Sequence, residues 1–479
     1  LLNGNAIDAA ATDTTVEVQG LVDGLSAYNA AIEAIQTAAQ NNTATDTSPS
    51  VAQYALAGVS GVNAANLAAI NSALNSSAIT AAGVDTPAEL QAIVDSYNTV
   101  LGGADGTAGN AAAHPAITDY SAIGVTGVTP ATEGLLGDVI DSKTASAVDT
   151  VPEVQALANA VAATVAYTGA QGQTAPTVEQ LNALTHASHN GGTSPVTPDN
   201  LTAVLAALAA ANVDGLAVAT QAELEQLVNQ AVSGYTSALN AISDAAEHNT
   251  ASATSPNATQ YLAAGVSGVT SSNLAAINEA LNSAPVDGGK ADSAAEVQAI
   301  VDAYNAVLHE ANGAAPDADA NSNPTAAQYA ALGADIGAAA TTPAHLALLN
   351  NLVGAQTTTG VDTIAEINEL ARIANAIQLT AAGGTPTPAL SETDLAHVGL
   401  SGVTPDNLDA VLAAIASKND NGSQTDTLSA LQTMVDNIGA ALETLSSFAQ
   451  LNTTGLDHAA GTVPEVQTYA NAGVSGVPA

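Results

Sequence analysis

The feature that most constrains this chain is that it repeats itself. Thr47 to Asn75 reads TSPSVAQYALAGVSGVNAANLAAINSALN, and Thr254 to Asn282 reads TSPNATQYLAAGVSGVTSSNLAAINEALN. The two align without gaps at an offset of 207, with 20 of 29 positions identical. Weaker copies lie between and beyond them. A Tyr or Leu anchor recurs at Tyr54, Tyr120, Leu181, Tyr261, Tyr329, Leu395 and Tyr469. An Asp-Thr/Ser pair before an apolar run recurs at Asp13, Asp85, Asp149, Asp292, Asp362 and Asp426, while Thr220 opens a copy without the Asp. The spacing gives about 69 residues per copy, and three copies make the 207-residue block. Internal periods of this size are the signature of arrays built from one small supersecondary unit.

Each copy reads as three helices, so the expected fold class is all-α, a tandem array of small three-helix modules forming a beaded rod or a solenoid. The first helix opens near Ser48-Pro49, with Ser as N-cap and Pro as the first helical residue. It passes through Tyr54 and stops at Gly58, placed for the left-handed position after a helix. A tight loop, Gly58-Val-Ser-Gly-Val62, follows. The second helix opens on Thr-Pro-Asp-Asn-Leu at Thr197 and again at Thr404, with Thr as N-cap and Pro at N1. The third opens on a Thr/Ser-x-x-Glu capping box at Thr14/Glu17, Thr86/Glu89, Thr150/Glu153, Thr220/Glu223, Ser293/Glu296 and Thr363/Glu366. Leu90, Ile93, Val94 and Tyr97 continue it as a helical apolar stripe. No sustained period-2 pattern argues for a strand.

The boundaries this reading sets are 1–46 (partial), 47–112, 113–173, 174–253, 254–322, 323–387, 388–461 and 462–479 (partial). Connectors after the third helix vary in length, which favours beads over a strict superhelix. Leu2, Asn3, Ala6 and Ile7 match Leu74, Asn75, Ala78 and Ile79, so both ends are expected to fall inside copies of a longer array.

Charge then removes whole classes of function. The chain carries 45 acidic side chains against four basic ones, Lys143, Lys290, Arg372 and Lys418, for a formal net charge of −41. Four cations cannot follow a phosphate track, so no nucleic-acid partner is expected. Anionic membrane surfaces are repelled for the same reason, and no apolar stretch reaches the ~18 residues of a membrane helix, so no membrane insertion is expected. With no Cys there is neither a disulfide framework nor a zinc–thiolate site. Such self-repulsion is relieved by dissolved cations, which points to salty or calcium-containing surroundings.

Catalytic constellations do not emerge, and no enzyme is expected. His186 and His189 could share a helix face, but no third metal ligand stands near them. Ser60 and Ser267 sit in Gly-Val-Ser-Gly-Val, which lacks the strand–turn–helix context of a nucleophile elbow, and the equivalent residue is Thr126. The best candidates for chemistry are oxygen-rich connectors. Asp317, Asp319 and Asn321 alternate like the opening of a calcium loop, without its Gly at six or Glu at twelve. Asp420, Asn421 and Asp426 gather oxygens around a second turn. Calcium is therefore the one cofactor considered, beside the ordinary use of Asp and Asn in helix connectors. The ten tyrosines fall on apolar stripes, where core packing outweighs stacking on sugars.

The run Leu400 to Ile415, LSGVTPDNLDAVLAAI, followed by Asp420 to Gln432, DNGSQTDTLSALQ, resembles helical repeats in giant surface proteins of Gram-negative, often marine, bacteria. Those are RTX-type adhesins and biofilm-associated proteins. The resemblance implies an extracellular, cell-surface, calcium-exposed structural array serving as stalk, surface-layer or filament subunit. Its implied partners are other copies of the same array. A repeat module binding calcium, a surface glycan or a partner protein is the alternative it leaves open. The chain departs from that family in lacking glycine-rich calcium nonapeptides and immunoglobulin-like β modules.

Overall fold

The computed structural model of the chain describes residues 14–41, 48–107, 114–185, 195–213, 218–248, 255–313, 323–418, 424–453, 463–474 and 476–478. Among these residues the fold is all-α, and the only β pairing is two isolated bridges, Asp105 with Thr144 and Asn312 with Thr357. The chain divides into two compact units, Leu1–Ser233 and Gly234–Ala479.

In the first unit the helices are α1 (Thr15–Asn41), α2 (Val51–Leu56), α3 (Leu67–Leu74), α4 (Pro87–Gly103), α5 (Ile117–Ala122), α6 (Glu133–Asp141), α7 (Val151–Ala166), α8 (Val178–Leu184) and α9 (Leu201–Val213). The division between the units falls within α10 (Gln221–His248). The second unit continues with α11 (Ala258–Ala263), α12 (Leu274–Leu281), α13 (Ala294–Glu310), α14 (Ala326–Ala331), α15 (Pro343–Gly354), α16 (Ile364–Ala381), α17 (Glu392–His397), α18 (Leu408–Ala416), α19 (Leu428–Thr453) and α20 (Val466–Asn471). A short helix, a second helix and a long helix therefore follow one another repeatedly. A 3-10 turn absent from the sequence reading precedes four of the long helices, at Ala81–Gly83, Ala145–Ala147, Gly288–Lys290 and Thr358–Gly360.

Local chemistry explains the starts and stops. All six Thr/Ser-x-x-Glu boxes form; in one, Thr86 N–H donates to Glu89 Oε2 (3.0 Å) while Glu89 N–H donates to Thr86 Oγ1 (3.3 Å). Each satisfies two of the donors a helix start leaves open. The short helices use the same device with Gln or Asp. Ser50 pairs with Gln53, Thr177 with Gln180, Asn257 with Gln260, Thr325 with Gln328 and Ser391 with Asp394. This corrects the start expected at Ser48-Pro49: Ser50 is the N-cap, because Gln53 lies three residues on to complete its box. Pro49 stands outside, its carbonyl taken by Asn71 Nδ2 (2.9 Å).

The second helices also begin later than expected. In Thr197-Pro-Asp-Asn200 and Thr404-Pro-Asp-Asn407 the four residues form a turn, and the regular helix opens at Leu201 and Leu408. Thr404 N–H donates to Asn407 Oδ1 (2.8 Å) and Asn407 Nδ2 donates to Gly402 O (2.8 Å), so the Asn side chain ties the turn to the loop before it. Glycines at Gly58 and Gly61 take φ of 76° and 81°, a region a side chain disfavours, and their relatives Gly265 and Gly268 do the same.

Each unit has one continuous buried cluster. In the first it runs from Ala31 through Tyr54, Tyr97, Tyr120 and Val161 to Val232; in the second, from Ala238 through Tyr261, Tyr304 and Tyr329 to Ile438. Separately cored beads, which the variable connectors suggested, are not what either unit contains. Small Ala-rich helices bury too little surface alone, so a shared core is the way each copy gains enough.

Candidate functional site: recurring joints and a single-copy cleft

Three side-chain devices recur at equivalent positions. The first holds the short helix against the second. Tyr54 Oη donates to Asn71 Oδ1 (2.8 Å), and Asn71 Nδ2 donates to Pro49 O (2.9 Å). Tyr261, Asn278 and Pro256 repeat this, as do Tyr329, Asn350 and Pro324. These tyrosines are fully buried, and desolvation pushes each phenol well above its ordinary range. The fourth copy breaks the pattern. Gly137 stands where Asn would, the His114 ring packs where its Cβ would go, and buried Tyr120 Oη has no protein partner.

The second device is a clamp on the glycine loop. The loop residue Ser60 donates its N–H to Gln91 Oε1 (2.9 Å), and Gln91 Nε2 donates both to Ser60 O (3.1 Å) and to Asp95 Oδ1 (2.7 Å). Thr126 with Gln155 and Asn159, Ser267 with Gln298 and Asp302, and Ser401 with Gln432 and Asp436 repeat it. The Gln side chain thus pairs with the loop as a neighbouring strand would. Ser60 and Ser267 are held as turn residues, and the change to Thr126 keeps the same backbone pairing. Gln298→Ala removes two bonds to the loop backbone, one from the Ser267 hydroxyl and one to Asp302, and is expected to cost about 1 kcal/mol, read as a lower unfolding temperature. Hydrogen exchange should place the added opening at Gly265–Val269.

The third device joins one copy to the next. The first amide of a long helix has no partner within its own helix. Val151 N–H donates to Ser72 Oγ on α3 (2.9 Å), Gln221 N–H to Asp138 Oδ2 on α6 (3.0 Å), and Leu428 N–H to Asn351 Oδ1 on α15 (2.6 Å). Ile364 N–H bonds to Glu279 on α12, which lowers a carboxyl that burial raises overall. Each acceptor is the residue after the Asn71-type position on the preceding second helix. A second bond across copies comes from the long helix itself: Tyr97 Oη donates to Val148 O (3.3 Å) and Tyr304 Oη to Val361 O (3.1 Å). The periodic pattern shows these helices but not the joints, whose residue type changes at every copy.

Carboxylates crowd the long-helix starts. A side-chain hydrogen bond shared with Glu89 raises Asp85, and bonds from Thr86 lower Glu89; Asp292 and Glu296 repeat the pair. The signs oppose. A lowered Glu contributes stability above its unfolded pKa that is lost in acid, and a raised Asp contributes the reverse. Among the described residues no three His, Asp or Glu side chains gather as a metal-binding group. Of the calcium candidates, Asp426 is half-buried just before α19, while Asp317, Asp319, Asn321, Asp420 and Asn421 lie outside the described residues, as do His186 and His189.

One place has no counterpart elsewhere among the described residues. On α16, Asn368 occupies the position of the clamp Gln and Arg372 that of its Asp or Asn partner. Arg372 donates Nε and Nη2 to Glu369 (2.8 and 2.7 Å), and Nη2 also reaches Asp394. The bond from Arg372 lowers Glu369. Beside it opens a cleft of about 360 Å³, lined by Asp335, Asn368, Arg372, Leu379, Pro386 and Pro388 among others. No protein-family description, curated protein or solved structure matches the chain.

Proposed function

We propose that the chain is an extracellular structural repeat array of a bacterial cell-surface protein, a stalk, surface-layer or filament subunit. Its unit is a three-helix module of about 69 residues, packed in tandem and working in a cation-rich medium. The observation that carries this reading is the third device. One position on the second helix supplies a side-chain oxygen to the next long helix, as Ser72, Asp138, Glu279 and Asn351 in turn. A chain selected for a single site concentrates chemistry in one place; here the recurring chemistry lies where copy meets copy. Self-association fits the same reading. Helix α1 leaves Val18, Val22 and Leu25 exposed, while the equivalent Leu90, Val94 and Tyr97 of α4 are buried, so the α1 stripe suits a helix from another copy of the array. No described helix is long and apolar enough to cross a membrane.

Electron microscopy of the chain beside a variant carrying a second 47–253 block tests the proposal. The longer protein should give particles extended along one axis, with added salt or calcium sharpening their outline by screening the carboxylates. A compact particle that grows equally in all directions would sink it.

A further inference from the structure

From the cleft on α16 we infer that the chain also binds a neutral saccharide, at a single site that is not part of the repeating pattern. Four long helices, α4, α7, α13 and α19, spend a Gln on gripping the glycine loop and hold that Gln with Asp95, Asn159, Asp302 or Asp436. In α16 the side chain is one methylene shorter. Asn368 Oδ1 still accepts the loop N–H, from Asp335 (2.7 Å), but its Nδ2 makes no return bond and is left as an open donor. Asp335 replaces the Ser or Thr of the other loops; its Oδ1 accepts from Gly337 N–H (3.1 Å), and its Oδ2 remains an open acceptor. An amide donor beside a carboxylate acceptor matches vicinal hydroxyls, each of which donates and accepts.

The rest of the lining narrows the ligand class. The charge of Arg372, the only arginine of the chain, is offset by Glu369 and Asp394, so it adds little attraction for an anion, while its buried Nη1, which has no hydrogen-bond partner, is a further donor beside the cleft. The Asp335 carboxylate and the chain's net charge of −41 repel one further. Leu379 is 42% exposed at the rim, and with Pro386 and Pro388 it gives an apolar wall for the C–H face of a ring. The volume, about 360 Å³, lies at the small end of ligand sites.

Titration calorimetry of the full chain with the methyl glycosides of glucose, galactose and mannose, and with methyl glucuronide, tests the inference. At least one neutral glycoside should bind with one site per chain, and the glucuronide should bind at least about tenfold more weakly. Asp335→Asn keeps the acceptor for Gly337 and should weaken binding about tenfold, the effect of losing a hydrogen bond to a charged group. Asn368→Gln restores the clamp found on α4, α7, α13 and α19 and should abolish binding without lowering the unfolding temperature. Silence with all three neutral glycosides, equal binding of the glucuronide, or unchanged binding in folded Asp335→Asn and Asn368→Gln variants each overturns it. Because it concerns one non-repeating cleft, it stands or falls separately from the shape of the particles.

Discussion

Raising the pH above about 10 should unfold each unit steeply, far more sharply than lowering it through the carboxylate range. Six tyrosines are fully buried, Tyr54, Tyr97 and Tyr120 in the first unit and Tyr261, Tyr304 and Tyr329 in the second. Burial raises the pKa of all six, with nearby carboxylates adding to it at Tyr97, Tyr120, Tyr304 and Tyr329. For an acid whose folded pKa lies above its unfolded one, the stabilising contribution is complete below the unfolded value, near 10, and is lost as pH climbs toward the folded value. Each such tyrosine costs about 1.4 kcal/mol per pH unit over that interval. Three per unit give about 4 kcal/mol per pH unit, against total stabilities of about 5–15 kcal/mol for ordinary domains. Within roughly two pH units above 10, helicity and buried phenol should be lost together. The chain has no Cys and only three Lys to titrate in the same range, so the absorbance of these six tyrosinates, of ten tyrosines in all, should rise together with the loss of circular dichroism. Ionisation of more than the four other tyrosines with the helices intact would contradict the burial.

The second large effect is local. Tyr329→Ala should destabilise the second unit by about 3–5 kcal/mol, the cost of emptying a fully buried aromatic site. Tyr329→Phe separates the hydrogen bond from the packing. It leaves Asn350 Oδ1 without its donor in a buried position and should cost about 1–3 kcal/mol. Tyr120→Phe serves as the internal control. Because Gly137 replaces the Asn in that copy, Tyr120 Oη has no protein partner, and its removal should be close to neutral. Denaturant unfolding of the three variants decides the matter; equal costs for Tyr329→Phe and Tyr120→Phe would mean that the Tyr–Asn–Pro chain contributes nothing.

Much of this was legible in the residues, for identifiable reasons. The Thr/Ser-x-x-Glu boxes depend on contacts three residues apart, so sequence alone locates them, and the buried stripe of Leu90, Ile93, Val94 and Tyr97 follows from helical periodicity. The Ser48-Pro49 start was misplaced because Pro suggests a first helical position more loudly than Gln53 suggests a box. The 3-10 turns carry no apolar period at all. The clamps link residues 29 or 31 apart and the helix-start joints residues 77 to 85 apart, as Ser60 with Gln91 and Ser72 with Val151, and no local pattern announces such pairs. The α16 cleft was hidden for a different reason. Asn368 and Arg372 look unremarkable alone, and become informative only against the Gln and the Asp or Asn that hold those positions in α4, α7, α13 and α19.

The joint between copies makes a modest demand: one side-chain oxygen on a second helix, facing one backbone N–H. A hydroxyl, an amide and two carboxylates all meet it, and the donor, being main chain, is the same for every residue except proline, which opens α4 at Pro87. Any copy whose long helix does not open on proline can therefore be spliced after any other without a matching change in its neighbour. A gene built this way can lengthen or shorten by recombination and still encode a chain whose seams close. The two 29-residue segments that recur at an offset of 207, with 20 of 29 positions identical, have the form such an event leaves behind.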